Sequence, residues 1–275
     1  MPHNSGPSLL IAGAGDVGMR LARLRAALGD EAIALRRREH PAEARIRNIQ
    51  ADLRTGSGFE RLPRHPDAVV FCAAPEQRDE AAYRALYFDG LRRLLDRVQT
   101  PRVIFVSSTA VFAQDAGEWV DENSPATADA FNGRVLLAAE RELSAHSQGI
   151  VLRLSGIYGP GRETMLRRAR TAESGRRHWT NRVHVDDAAG ALSQLLNLSD
   201  PKTVYLGSDD RPALESEVFA WIREQENLPA VAEAGGPVTG RRIGNRRLRE
   251  TGWIPAHADF LSGYLHLLAG AGAGV

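Results

Sequence analysis

Ser8-Leu9-Leu10-Ile11-Ala12-Gly13-Ala14-Gly15-Asp16-Val17-Gly18 decides the fold of this 275-residue chain. Leu9, Leu10 and Ile11 read as a buried strand, while Val17, Leu21, Leu24 and Leu28 fall on one face of a helix that stops before Gly29. Between the two, Gly13, Gly15 and Gly18 stand at G-x-G-x-x-G spacing. In a strand-turn-helix setting the first glycine permits the tight turn, the second lets the backbone approach a pyrophosphate, and the third lets helix and strand pack closely. The first turn of such a helix offers unpaired N–H groups to an anion. Gly13, Gly15, Asp16, Val17 and Gly18 are therefore the expected dinucleotide contacts of the turn.

Working outward, Glu31 to Leu35 forms a second strand that runs into Arg36, Arg37 and Arg38. An NAD-preferring fold places an acid about 20 residues past the glycines to hold the ribose 2′-hydroxyl, and an arginine there accommodates a 2′-phosphate. Arginine occupies the position and the first acid is Glu39, so Arg36 and Arg37 predict NADP in preference to NAD. Asn48 to Leu53 reads as a third strand with Asp52 at its end, placed either beside an adenine or simply in a turn. Asp67 to Pro75 is a continuous apolar run of the kind buried on both faces of a parallel sheet, and its small residues Ala73 and Ala74 leave room for a cofactor. The strand within Arg102–Phe112 shows hydroxyls at its carboxyl end, where ligands of open α/β sheets bind, which makes Ser107 and Ser108 candidates for the same crevice.

The rest of the chain alternates in the same way. Helices are expected over about 79–98, 132–146, 188–198 and 210–226, and strands over 150–155 and 203–207. A polar loop over 114–130 has the length of a substrate-side cover. Residues 230–247 read as a glycine-rich linker with a basic patch, and the ends 1–7 and 269–275 as poorly packed. The expectation is a doubly wound α/β fold. Residues 1–155 form a dinucleotide-binding core, and 156–275 form mostly a substrate-binding part from which 183–208 returns to the core.

Composition narrows the function classes. Charge is nearly balanced, with 35 basic and 34 acidic residues, so no global field points to nucleic acid or to a membrane surface. The Arg241 to Arg247 patch has no interleaved aromatics and reads as solvated surface. No run approaches the roughly 20 apolar residues of a membrane span. The single cysteine, Cys72, suits a reducing compartment, and the N-terminus has no export-signal pattern. A cytoplasmic location is expected. The histidines do not recur at ligand spacing, which predicts no metal centre, and Ser107-Ser108-Thr109 lacks the G-x-S-x-G elbow of a serine hydrolase.

Four segments in this order resemble the extended short-chain dehydrogenase/reductases of the NAD-dependent epimerase/dehydratase superfamily. They are Gly13-x-Gly15-x-x-Gly18, Val106 to Val111, Leu152 to Arg162 and Arg182 to Asp187. The likeness runs from Leu9 to about Leu268. It implies a Rossmann sheet carrying the dinucleotide, a smaller split C-terminal part for a small-molecule substrate, commonly a nucleotide sugar, and a homodimer through helices 79–98 and 132–146. It also implies chemistry by a hydroxyl residue with a Tyr-x-x-x-Lys pair, in which the lysine lowers the phenol pKa. Ser108 matches the hydroxyl position. Asn132 stands where the tyrosine belongs and Leu136 where the lysine belongs. Two readings stay open: an atypical enzyme using substitute groups such as Tyr158, Tyr87 or Ser108, or an inactive dinucleotide-binding sensor or interaction protein.

Overall fold

The computed structural model describes residues 6–272 except 40, 42, 147 and 148. In chain order the elements are β1 (Ser8–Ala12), α1 (Asp16–Ala27), β2 (Glu31–Arg36), β3 (Ile46–Gln50), β4 (Ala68–Phe71) and α2 (Glu80–Tyr83). A π-helical turn, Arg84–Phe88, links α2 to α3 (Asp89–Arg97), followed by β5 (Val103–Ser108), β6 (Ala116–Val120), α4 (Phe131–His146), β7 (Ile150–Leu154) and β8 (Gly156–Tyr158). Then come α5 (Thr164–Thr171), β9 (Ser174–Gly175), β10 (His178–Thr180), β11 (Arg182–His184), α6 (Val185–Leu196) and β12 (Val204–Gly207). The chain continues through β13 (Ala213–Leu214), α7 (Glu215–Gln225), β14 (Ala232–Glu233), β15 (Thr239–Ile243), α8 (Arg246–Arg249) and α9 (Phe260–Gly272).

A seven-stranded parallel sheet has the order β12-β7-β5-β4-β1-β2-β3. The apolar runs explain it: Leu9 to Ala12, Ala32 to Leu35, Val69 to Phe71 and Val103 to Phe105 are all buried, as strands covered by helices on both faces must be. The chain winds from β1 to β3 in one direction and from β4 to β12 in the other. The order therefore reverses between β1 and β4, where doubly wound sheets open a crevice at their carboxyl ends. Register fixes what gathers there. Ala12 pairs with Leu35 and Phe71, and Phe71 with Phe105, so Gly13, Arg36, Cys72 and Val106 follow side by side at the carboxyl ends.

By internal contacts the chain divides into two units. The first comprises the described residues of Met1–Ala113 with Ala126–Arg153 and Ala189–Tyr205; the second comprises Gln114–Pro125, Leu154–Ala188 and the described residues of Leu206–Val275. Thus the segment that rejoins the first unit is 189–205, shorter than the expected 183–208, and Gln114–Pro125 goes with the second. The second unit holds a four-stranded sheet, β13-β10-β15-β6, and a core in which Tyr158, Leu166, Phe219, Ile222, Phe260 and Tyr264 pack together.

Several sequence expectations need correction. Segment 114–130 is not all loop, because Ala116–Val120 pairs with β15, and β15 itself lies in the stretch read as a linker. Both strands are short and carry charged or glycine residues, so neither shows a clean two-residue period. The helix expected over 79–98 is interrupted by the π turn. The small-residue tail is helical through Gly272, and its last residues, 273–275, lie outside the described ones, as do 1–5 of the polar start.

Candidate dinucleotide-binding site

The three glycines occupy three different environments. Gly13 has φ +91°, and a Cβ there would run into the backbone and side chain of Ala73 on the neighbouring strand end. Its N–H and that of Ala14 both donate to the Leu35 carbonyl, at 3.2 and 3.0 Å, which ties the turn to β2. A Cβ on Gly18 would come within 2.9 Å of Cys72 Sγ and 3.1 Å of Ile11 Cγ2, so this glycine sets the close packing of α1 on the sheet. A Cβ on Gly15 would meet nothing within 4 Å. That open face lies at the N-cap of α1, where no side chain caps the helix. Two glycines are thus required by packing and the middle one fronts free space, the shape that lets a pyrophosphate approach backbone N–H groups. A dinucleotide fits. Val17 is buried beneath the turn, and Asp16, in the first turn of α1, is ion-paired with Arg20 at 2.9 Å. Cys72 donates its thiol to the Gly13 carbonyl at 3.4 Å, and burial pushes that thiol up to about 12, which leaves it a packing group.

Beyond β2 and β3 the charges are heavily paired. Arg37 chelates the Glu76 carboxylate with both terminal nitrogens, and Arg54 chelates Asp52, with 2.9 Å from Nη2 to Oδ2. The hydrogen bond and charge of Arg54 outweigh burial and hold the Asp52 carboxyl below its ordinary range. Arg36 differs. Its Nε is buried with no hydrogen-bond partner, and burial lowers its pKa from the usual value.

At the end of β5 two adjacent serines face opposite ways. Ser107 is 4% exposed and donates its hydroxyl to Glu140 at 2.6 Å, while Arg153 reaches the same carboxylate at 3.1 and 2.7 Å. The Ser107 hydroxyl is thus turned to the interior, where it joins β5, α4 and β7, and not to the crevice expected of it. Ser108 is half-buried, and its hydroxyl accepts from the Ala110 N–H at 3.2 Å. On α4, Asn132 is half-buried and Leu136 is buried at 3% exposure. The sequence also holds a fact that motif alignment passes over: Lys202 is its only lysine. It lies in the turn before β12, 3.8 Å from Asp200. No lysine exists elsewhere in this chain to stand beside a phenol.

In the second unit Tyr158 is packed shut. It is 4% exposed, its ring lies 4.8 Å from that of Tyr264 and 5.3 Å from that of His184, and a Cβ on Gly263 of α9 would fall on its hydroxyl. The buried hydroxyl has no hydrogen-bond partner, and burial raises its pKa. A tyrosine so enclosed is a core residue, which counts against the catalytic role expected of it. Nearby, burial pushes the Asp209 carboxyl up to about 8, against the opposing pull of Arg182. His184 and Asp187, three residues apart, and the distant His257 bring one potential ligand atom each within 4.8 Å of one another. The Asp187 carboxylate is already taken, accepting from the N–H groups of Ala256 at 2.6 Å and His257 at 3.0 Å. This cluster pins the loop before α9.

Residues 9–207 match the model of the NAD-dependent epimerase/dehydratase family. The chain belongs to that family. Among curated proteins it is similar to Protein YeeZ of Escherichia coli K12, at 36% identity over 126 residues; the match spans 43% of this chain and 45% of YeeZ, under half the length of either. Among solved structures it is similar to a Methylobacillus flagellatus protein classed as an NAD-dependent epimerase/dehydratase, with 35% identity, a TM-score of 0.84, and 96% and 98% of the two chains covered. The fold is also that of Bordetella bronchiseptica WbmG, solved with NAD and UDP, with a TM-score of 0.79 at 19% identity over 98% and 95% of the chains. Among the described residues no helix is long and apolar enough to cross a membrane.

Proposed function

We propose that this family member binds NADP(H) in preference to NAD(H) and uses it in oxidoreductase or epimerase-type chemistry on a nucleotide sugar. The observation that carries the reading is the Gly13 to Gly18 turn, closed by packing at both outer glycines and open at Gly15. A nicotinamide dinucleotide held there would accept or return a hydride. The chain's own part is to hold the pyrophosphate on the first turn of α1, to seat the adenine ribose beside the ends of β2 and β3, and to present the end of β5 to the reacting carbon. Preference for a 2′-phosphate rests on Arg36, whose Nε lacks a partner, and on Arg38. Arg37 is less available, because Glu76 holds it. Nucleotide sugar as the substrate class rests on family membership and on the UDP carried by WbmG.

The single lysine supports a second reading, a dinucleotide-binding sensor without turnover. Calorimetric titration with NADPH and NADH, followed by a nucleotide-sugar panel with the tighter cofactor, separates the two. The enzyme reading expects NADPH to bind at least tenfold tighter, Arg36→Ala to erase most of that ratio, and one sugar to turn over. Tight binding without turnover across the panel favours the sensor, and equal affinities overturn the NADP assignment.

A further inference from the structure

Hydride transfer to or from an alcohol carbon needs a partner group that moves the hydroxyl proton. The strand-end crevice of the first unit offers few. Asp52 and Glu76 are chelated by Arg54 and Arg37, and the Cys72 thiol donates to a backbone carbonyl. Ser107 is tied to Glu140, which leaves hydroxyls and phenols around the N-terminal turn of α4.

That turn is gripped from two sides. On one, a Cβ at Gly133 would meet the Ala110 carbonyl carbon at 3.1 Å, so the helix start abuts the segment that follows Ser108. On the other, the Tyr83 ring stacks edge-on against Phe131 at 5.4 Å, and Arg134 approaches Glu80 at 3.8 Å. Asn132 stands between Phe131 and Gly133 in sequence. Tyr83 is half-buried and closes α2 directly before the π turn, and π turns recur at functional sites because they re-aim side chains that a regular helix would hold elsewhere. Its ring rests on Tyr87 at 5.4 Å, which in turn lies edge-on to Phe105 of β5.

We infer that Tyr83 supplies the phenol for proton transfer in this chain, entering the site from the helix after β4 instead of from α4. The inference rests on the dinucleotide reading of the preceding subsection. In the oxidative direction Tyr83 Oη, as phenolate, takes the substrate hydroxyl proton while hydride leaves the same carbon for the oxidised nicotinamide. In the reductive direction the phenol gives its proton to the carbonyl oxygen as hydride arrives from the reduced nicotinamide.

The test is phenolate absorption near 295 nm, titrated against pH on the full chain. The wild-type minus Tyr83→Phe difference isolates this residue among the five tyrosines, and Tyr87→Phe serves as the control. Saturating oxidised cofactor, with its positively charged ring, should lower the Tyr83 midpoint by about one pH unit or more, whereas reduced cofactor, with a neutral ring, should not. Tyr83→Phe should keep cofactor affinity within twofold and lower turnover of any accepted sugar at least ~100-fold. Equal midpoints with both cofactor forms overturn the inference. Absence of cofactor binding in calorimetry, seen before Tyr83 is altered, overturns the dinucleotide reading itself and this inference with it.

Discussion

The turn at Gly13 to Gly18 and the cluster around Tyr158 are both built on glycines, and they use them in opposite ways. In the first unit, Gly13 and Gly18 are required by close neighbours while Gly15 faces open space. In the second unit, the space that Gly263 leaves on α9 is filled by the Tyr158 hydroxyl, with Tyr264 and His184 against the same ring. Free space beside backbone N–H groups is a binding feature, whereas free space filled by a neighbour's side chain is a packing feature. A sequence shows both as glycine near an aromatic or apolar residue, and only the contacts tell them apart.

The sharpest way to break this comparison is to add a methyl group at Gly263. In an ordinary helix interior, Gly→Ala stabilises by up to ~1 kcal/mol. Here the added carbon meets a buried phenol that has nowhere to go, so Gly263→Ala should destabilise, by about 3 kcal/mol, at the upper end of overpacking costs. Urea unfolding of the variant checks the sign. A stabilised variant would mean that Tyr158 moves freely, and the case for its being a core residue would fail.

How much of this was legible in the sequence depends on burial. The parallel strands could be read because both faces are covered, which leaves unbroken apolar runs such as Val69 to Phe71. The glycine turn could be read because its spacing couples a tight strand-to-helix turn to close helix packing. β6 and β15 could not, since Ala116–Val120 and Thr239–Ile243 mix charges with glycine and form one small sheet only through long-range pairing. Strand alternation sends Ser107 and Ser108, neighbours on β5, to opposite faces. That signal was available. So was the single lysine, Lys202, which removes the usual phenol partner from the whole chain without any alignment. The meeting of Tyr83 with Phe131 needed the fold, because nothing in either helix's own pattern points to the other.

A second variant sharpens the other half of the comparison. Gly15 has φ −74°, a value any residue adopts, and nothing within 4 Å of a Cβ. Gly15→Val should therefore cost under about 1 kcal/mol in stability, the scale of losing a favourable N-cap residue. It should weaken NADPH binding by at least ~100-fold, or about 2.7 kcal/mol, by placing two methyl groups where the pyrophosphate must lie. Calorimetry beside thermal unfolding reads both quantities. Undiminished binding would mean that the open face of Gly15 is not where the cofactor sits.

The last effect is read against pH and concerns the buried carboxyl beside the Tyr158 cluster. Burial raises Asp209 to about 8 in the fold, against about 3.9 for an unfolded chain. Between those values the native state holds more protons than the unfolded state, so stability falls as pH rises through that window. The contribution is fully present below about pH 4 and lost by the time pH passes about 8. The slope contributed by one such group is at most about 1.4 kcal/mol per pH unit. Asp209→Asn keeps the shape and removes the proton, so its stability measured against pH should be flatter than that of the wild type, with the variant gaining most at pH 8. Parallel curves from pH 5 to 8 would show that Asp209 ionises normally, through water or through Arg182, and that the interior around Tyr158 is less closed than its packing indicates.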